Sequence, residues 1–119
     1  MPVREKVDPA NLRAAWWTVR ALRRARSGLR EGTIGRIGLP RPPRVPPEAV
    51  RGVAGALQRV DHTCLERSLV LQCWHRAHGR SIDVVVGVTA PSEGFSAHAW
   101  LDGEPDGETF GELLRLPAE

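Results

Sequence analysis

The sequence predicts an α+β domain in which helices precede a small antiparallel sheet. Before about residue 79, apolar residues recur at three- and four-residue steps in three segments, as in amphipathic helices. The rest of the chain carries short β-branched or alternating runs separated by turn residues, as in strands. Helices followed by strands are typical of the α+β class. With 119 residues the chain can bury one core, so we expect one structural domain overall.

We expect residues 1–47 to form an N-terminal helix and a Pro/Gly-rich strap, ahead of a core formed by residues 48–119. Asp8 suits the N-cap of that helix and Pro9 its first position, and the helical pattern extends to about Arg26. The periodicity predicts an inward stripe of Leu12, Ala15, Trp16, Val19 and Leu22. The residues outside this stripe include Trp17, Arg13, Arg20 and Arg24. They are expected to form either a solvated basic face or a surface that binds a partner.

Glycines and prolines dominate the segment from Ser27 to Pro47, which suits an extended strap rather than a long helix. A second helix is predicted from Glu48 to Val60, with Pro47 at its start. The inward side of this helix is expected to consist of Val50, Val53, Ala54 and Leu57.

A third helix is predicted to begin at Cys64, because Thr63 and Glu66 have the spacing of a capping box. Gly79 is a suitable stop for this helix. The apolar side between these ends is expected to consist of Leu65, Leu69, Val70, Cys73, Trp74 and Ala77.

Three strands are expected next: Ile82 to Val88, Phe95 to Leu101 and Glu108 to Phe110, with a turn at residues 90–94 between the first two. Alternation in the second strand places His98 and Trp100 on one face, opposite the small and apolar side chains.

The charge distribution is asymmetric. Residues 1–60 hold thirteen basic and four acidic side chains, whereas residues 61–119 hold four basic and ten acidic ones. The opposite signs favour contact between the two halves, or docking of an acidic protein or peptide on the basic half. We expect no nucleic-acid partner, because only Trp16 and Trp17 accompany the arginines as stacking aromatics.

Composition also excludes several classes of protein. No apolar run approaches the roughly 20 residues of a transmembrane helix. The N-terminus lacks the apolar stretch of a secretory signal, and two cysteines do not make a disulfide scaffold. We therefore expect a soluble cytoplasmic protein with reduced thiols and no membrane span.

Cys64 and His98 are the residues that suggest chemistry. At the first helical position, the positive end of the helix dipole favours a thiolate on Cys64. A helix-borne Cys followed by a strand-borne His is the order found in cysteine peptidases and transglutaminases. Glu108, ten residues past His98, is far enough along the chain to return and orient the imidazole. The alternative interpretation is a buried structural Cys and a His with ordinary hydrogen bonds.

The other cysteine and two further histidines suggest structural roles. Cys73 lies on a different face of the third helix from Cys64 and is expected in the core. His75 and His78 are expected to end that helix near Gly79, where imidazolium groups suit its negative end. We expect no metal site, because the paired spacing of structural zinc ligands is missing, and no cofactor.

Four separated motifs occur in order along the chain: Cys64-Leu65-Glu66-Arg67-Ser68-Leu69-Val70-Leu71, Val85-Val86-Gly87-Val88, Ala97-His98-Ala99-Trp100 and Gly107-Glu108. With them, residues 48–110 resemble the transglutaminase-like leader peptidases of lasso peptide biosynthesis, which are related in fold to papain-like cysteine peptidases. The resemblance implies removal of the leader from a ribosomally synthesised precursor peptide, before a separate ATP-dependent lasso cyclase closes the macrolactam. It also implies that a separate leader-binding recognition protein presents the precursor, because a chain of this length has no room for that domain.

The same resemblance implies Cys64 as the nucleophile and His98 as the general base and later acid. For the acid that orients His98 it implies Glu108, with Asp106 and Asp102 as alternatives. Trp100, on the His98 face, is expected either to wall the site or to pack in the core. Two rivals stay open: a catalytically inactive scaffold for the cyclase and precursor, and an acyltransferase of the same fold.

Overall fold

The computed structural model describes residues 8–32, 37–89, 96–105 and 110–118. Its helices precede an antiparallel sheet, which confirms the expected α+β class. The elements are α1 (Pro9–Arg30), α2 (Val50–Arg59, after a single 3-10 turn at Pro47–Ala49), α3 (Cys64–Ala77), β1 (Val84–Val88), β2 (Ala97–Leu101) and β3 (Gly111–Leu116). None of the helices described here has both the length and the apolar character needed to cross a bilayer.

β1 is the central strand of the sheet, with β2 and β3 on either side. Val84, its first residue, pairs with Leu101 and Leu116, the last residues of both neighbours. The strand therefore begins two residues later than the predicted start at Ile82, because both neighbouring strands end opposite Val84.

The third strand also begins later than predicted. Val88, the last residue of β1, pairs with Gly111, where β3 begins. Phe110 forms a bend, and residues 106–109 lie outside the described part of the chain, as do residues 90–95 with the predicted turn. Of the predicted strand from Glu108 to Phe110 the structure thus describes Phe110 alone, which is a bend and not a strand residue.

α1 is one turn longer than predicted and buries a different face. Trp17 is 2% exposed, whereas Trp16 is 68% and Leu12 57% exposed. Either tryptophan could lie on the buried side of a helix with this period. Contacts with the rest of the fold decide that Trp17 is the buried one. The Trp17 ring lies 5.8 Å from that of Trp74 on α3, and its Nε1 donates to the carbonyl oxygen of Pro40 at 2.8 Å. The buried face consists of Trp17 and Leu22 with small side chains: Ala14, Thr18, Ala21, Ala25 and Gly28.

The strap follows α1. Residues 37–46 have no regular structure, as expected, although Ser27 to Arg30 belong to the helix. Leu39 and Val45 pack against the helical core, and His78 Nε2 lies 3.1 Å from the carbonyl oxygen of Val45. These contacts hold the strap against α1 and α3.

α2 packs against α1 at Gly52, where the backbones approach closely. Gly52, Val53 and Ala56 are buried, whereas Ala54 is exposed, contrary to prediction. The reason is helical phase: Ala54 lies two residues after the contact and therefore points away from α1.

α3 lies between two hydrophobic clusters. On one side Val70 and Trp74 pack with α1 and α2. On the other side Leu69 packs with Val84, Ala99 and Leu101 of the sheet. Because both faces of α3 are covered, its N-terminus is held against β2.

Candidate active site

The first turn of α3 presents Cys64. Thr63 Oγ1 accepts a hydrogen bond from the Glu66 N–H at 3.1 Å, and Glu66 Oε1 accepts one from the Thr63 N–H at 3.0 Å. This confirms the predicted capping box. The capping box uses two of the four N–H groups that lack helical acceptors, so those of Cys64 and Leu65 remain at the helix end. Cys64 therefore lies beside two peptide dipoles that stabilise negative charge.

The thiol of Cys64 contacts β2 directly. The Ala99 N–H donates to Cys64 Sγ at 3.4 Å, and Cys64 is half-buried. β2 is an edge strand, so N–H groups on its outer side are available outside the sheet. Ala99 follows His98 in the chain, and the structure therefore joins the helix that carries Cys64 to the strand that carries His98.

His98 lies in an aromatic cluster on the sheet face opposite Ala99. Its ring centroid is 5.0 Å from that of Phe110 and 5.9 Å from that of Trp100. Gly87 pairs with His98 and makes room for this cluster, because a Cβ there would lie 2.7 Å from the Trp100 ring. Buried Trp100 thus packs beside His98 and restricts its ring.

Two of the three acids expected to orient His98, Glu108 and Asp106, lie outside the described residues. The third, Asp102, is exposed, and its carboxylate accepts a hydrogen bond from Arg115 Nη1 at 3.1 Å. Asp102 directly follows β2, and its carboxylate is paired with Arg115 of β3.

Glu104 is a carboxylate near His98 that the sequence did not indicate. It accepts hydrogen bonds from Arg67 Nη2 and from the Leu101 N–H, both at 3.0 Å. Burial raises the pKa of Glu104, but these bonds and the charges of Arg67 and His98 together hold it below its ordinary value. The sequence feature that could have pointed to Glu104 was Gly103, because glycine favours a turn. Its φ of 102° turns the chain back after β2.

The second cysteine has a different environment. Cys73 is half-buried against the helical core, and its Sγ lies 3.8 Å from the carbonyl oxygen of Pro40. Burial raises the pKa of this thiol, which therefore favours the protonated form.

His78 is the C-cap of α3, and Gly79 follows it with a φ of 84°, as a helix stop requires. His75 departs from the expected imidazolium: burial, followed by the charges of Arg80 and His78, lowers its pKa and favours the neutral ring. Among the residues that the structure describes, no three His, Cys, Asp or Glu side chains come together as a metal site would require.

Comparison with known proteins places the whole arrangement in one family. The family model described as the transglutaminase-like superfamily matches residues 8–113, a range that includes α1, α2, α3, Cys64 and His98. No curated protein and no solved structure matches the chain significantly. The match covers most of the chain, and the half-buried Cys64 at a helix start beside the His98 strand agrees with it. The chain therefore belongs to the transglutaminase-like superfamily.

Proposed function

We propose that the protein is a cysteine peptidase that removes the leader from a lasso precursor peptide before macrolactam cyclisation. The observation that supports it most is the contact between Cys64 Sγ and the N–H of Ala99, next to His98. The superfamily generally comprises cysteine peptidases and acyltransferases. Within these two classes of enzyme we favour leader removal, because the motifs around Cys64 and His98, with Gly107-Glu108, resemble those of lasso leader peptidases. A cytoplasmic location would keep both cysteines reduced.

The first half of the reaction forms a thioester. The Cys64 thiolate attacks the scissile carbonyl carbon, and the carbonyl electrons move to the oxygen. The N–H groups of Cys64 and Leu65 at the start of α3 stabilise this oxyanion. His98, protonated, then donates to the leaving amine, so that the core peptide departs and the leader stays bound to Cys64.

The second half regenerates the enzyme. His98 accepts a proton from water, and the resulting hydroxide attacks the thioester carbonyl. The thiolate of Cys64 leaves and the leader departs with a free carboxylate. Glu108 orients the imidazole, while Trp100 limits its movement from one side.

A separate leader-binding protein presents the precursor in this proposal. The outer face of α1, defined by Trp16 with Arg13, Arg20, Arg23 and Arg24, is suited to bind it. All five residues are exposed, and no carboxylate within the described ranges forms an ion pair with these arginines. Exposed Trp and Arg residues dominate binding energy at many interfaces. An acidic partner surface with an apolar pocket for Trp16 would complement this face.

The test is mass spectrometry of precursor peptide incubated with the leader-binding protein and one of three enzymes: wild type, Cys64→Ala or Cys73→Ala. Wild type and Cys73→Ala should release free leader acid and core peptide. Cys64→Ala should cleave at least about a thousandfold more slowly, because it lacks the nucleophile. Cys73→Ala is the matched control, since it removes a thiol from the same helix away from β2.

Other products would point to the rival functions. Leader joined to an added amine would identify an acyltransferase, because hydrolysis yields a free carboxylate. Intact precursor with the wild-type enzyme, while the partner is bound, would indicate a scaffold for the precursor and the cyclase. Undiminished cleavage by Cys64→Ala would rule out the proposed nucleophile.

A further inference from the structure

Arg26 of α1 binds the first turn of α3 from forty residues away in the sequence. Its Nε donates to Glu66 Oε2 and its Nη2 to Glu66 Oε1, both at 3.1 Å. Nη2 also donates to the carbonyl oxygen of Asp61 at 2.9 Å. One guanidinium therefore connects α1, the loop before α3 and the α3 capping box.

Glu66 depends on this contact because it is only 4% exposed. Burial raises the pKa of its carboxyl, but the Arg26 hydrogen bonds, the Thr63 N–H and the charges of Arg26 and His62 outweigh burial and lower it. The carboxylate is consequently ionised at neutral pH. Glu66 Oε1 accepts from both Arg26 and Thr63, so the ion pair and the capping box share one oxygen atom.

Loss of Arg26 would disturb Cys64 through Glu66 in either of two ways. If Glu66 stays ionised, an uncompensated negative charge remains in the turn that carries Cys64 and disfavours a thiolate. If Glu66 is protonated or turns towards water, the capping box weakens and the N–H groups around Cys64 lose their alignment. Both changes make negative charge on Cys64 Sγ less favourable.

We infer that Arg26 is a positioning residue for Cys64, acting through Glu66 and the capping box to keep a reactive thiolate at the start of α3. The inference rests on the proposed role of Cys64 as the nucleophile. It gives α1 a part in the chemistry, although Arg26 itself lies outside the reacting groups.

The test measures the rate of Cys64 alkylation by iodoacetamide against pH, in a Cys73→Ala background that leaves one thiol. Arg26→Ala should shift the profile to higher pH and slow alkylation roughly tenfold near neutral pH. The alkylation rate of Arg26→Lys should lie between those of Arg26→Ala and the parent, because an ammonium keeps the charge without the bidentate contact. Arg51→Ala, which removes an exposed arginine from α2, should match the parent.

A second substitution separates positioning from general stability. Glu66→Gln removes the buried charge and retains an oxygen for the Thr63 N–H, so Arg26→Ala/Glu66→Gln should recover most of the alkylation rate. Circular dichroism would verify that each variant keeps its helices. Identical profiles for Arg26→Ala and Arg51→Ala, or a double variant as slow as Arg26→Ala, would overturn the inference.

Precursor cleavage is a separate readout. If wild type fails to cleave the precursor while the alkylation profiles shift as expected, the proposed function fails and the positioning role stands. If wild type cleaves and the profiles do not shift, only the positioning role fails.

Discussion

Trp16 and Trp17 are neighbours in the chain with opposite environments. Trp17 is packed against Trp74 and donates its indole N–H to Pro40, so it joins α1, α3 and the strap. Trp16 projects from α1 into solvent. A large aromatic side chain stabilises a protein only where other atoms surround it. These two residues should therefore contribute very differently to the free energy of unfolding.

We expect Trp17→Ala to lower the free energy of unfolding by about 3–5 kcal/mol, because it leaves a cavity and removes the indole N–H that donates to the Pro40 carbonyl. Trp16→Ala should change it by less than about 0.5 kcal/mol. Urea unfolding of both variants beside wild type measures the difference. Equal losses would contradict the buried position of Trp17.

Between elements, α2 and α1 approach closely where they cross. A Cβ on Gly52 would lie 2.8 Å from the carbonyl carbon of Asn11, whereas one on Gly55 would meet nothing within 4 Å. The two glycines lie one turn apart on the same helix, but only Gly52 lies against the backbone of Asn11. Contact between α1 and α2 therefore requires glycine at one position and not at the other.

Gly52→Ala should lower the free energy of unfolding by about 1–3 kcal/mol, because the added methyl group pushes α2 away from the Asn11 backbone. Gly55→Ala should raise it by about 0.5–1 kcal/mol, because alanine restricts the unfolded chain and favours the helix. Chemical denaturation measures both. A Gly52→Ala protein at least as stable as Gly55→Ala would disprove the close crossing.

Over the whole molecule, positive charge is concentrated before residue 61 and negative charge after it. Arg26–Glu66 is an ion pair between the two halves. The outer face of α1 has no such partner in the described part of the chain. Its charge is therefore available to attract an acidic protein, in agreement with the proposed docking of the leader-binding protein.

Reversing charge on this face should weaken docking. In a Cys64→Ala background, which prevents turnover, Arg20→Glu/Arg23→Glu/Arg24→Glu should lower affinity for the leader-binding protein at least about tenfold. Added salt should weaken the parent more than the variant. Titration calorimetry measures both effects.

The matched control for this docking experiment is Arg51→Glu/Arg59→Glu/Arg80→Glu. It makes the same change in net charge at exposed positions that are not part of the outer face of α1, and it should bind like the parent. If the α1 variant kept parental affinity, or the control variant lost as much, docking on the outer face of α1 would be wrong.

Local sequence determined the features that a few neighbouring residues complete among themselves. Thr63 and Glu66 are three residues apart, so their hydrogen bonds form as soon as the helix begins, and the start of α3 at Cys64 could be predicted. The helix cap at Asp8 and the alternation of His98 with Ala99 are equally local. The order of helices and strands followed from the same short-range patterns.

Tertiary structure alone decided which face of α1 is buried, where β1 and β3 begin, and which charges meet. Arg26 with Glu66 and Arg67 with Glu104 join residues forty and thirty-seven positions apart, and no spacing pattern links them. Periodicity indicates that a helix has a buried side, but two stripes can satisfy the same period. The choice between them depends on the shape and hydrogen-bond acceptors of the surface that the helix meets, and these exist only once the chain has folded.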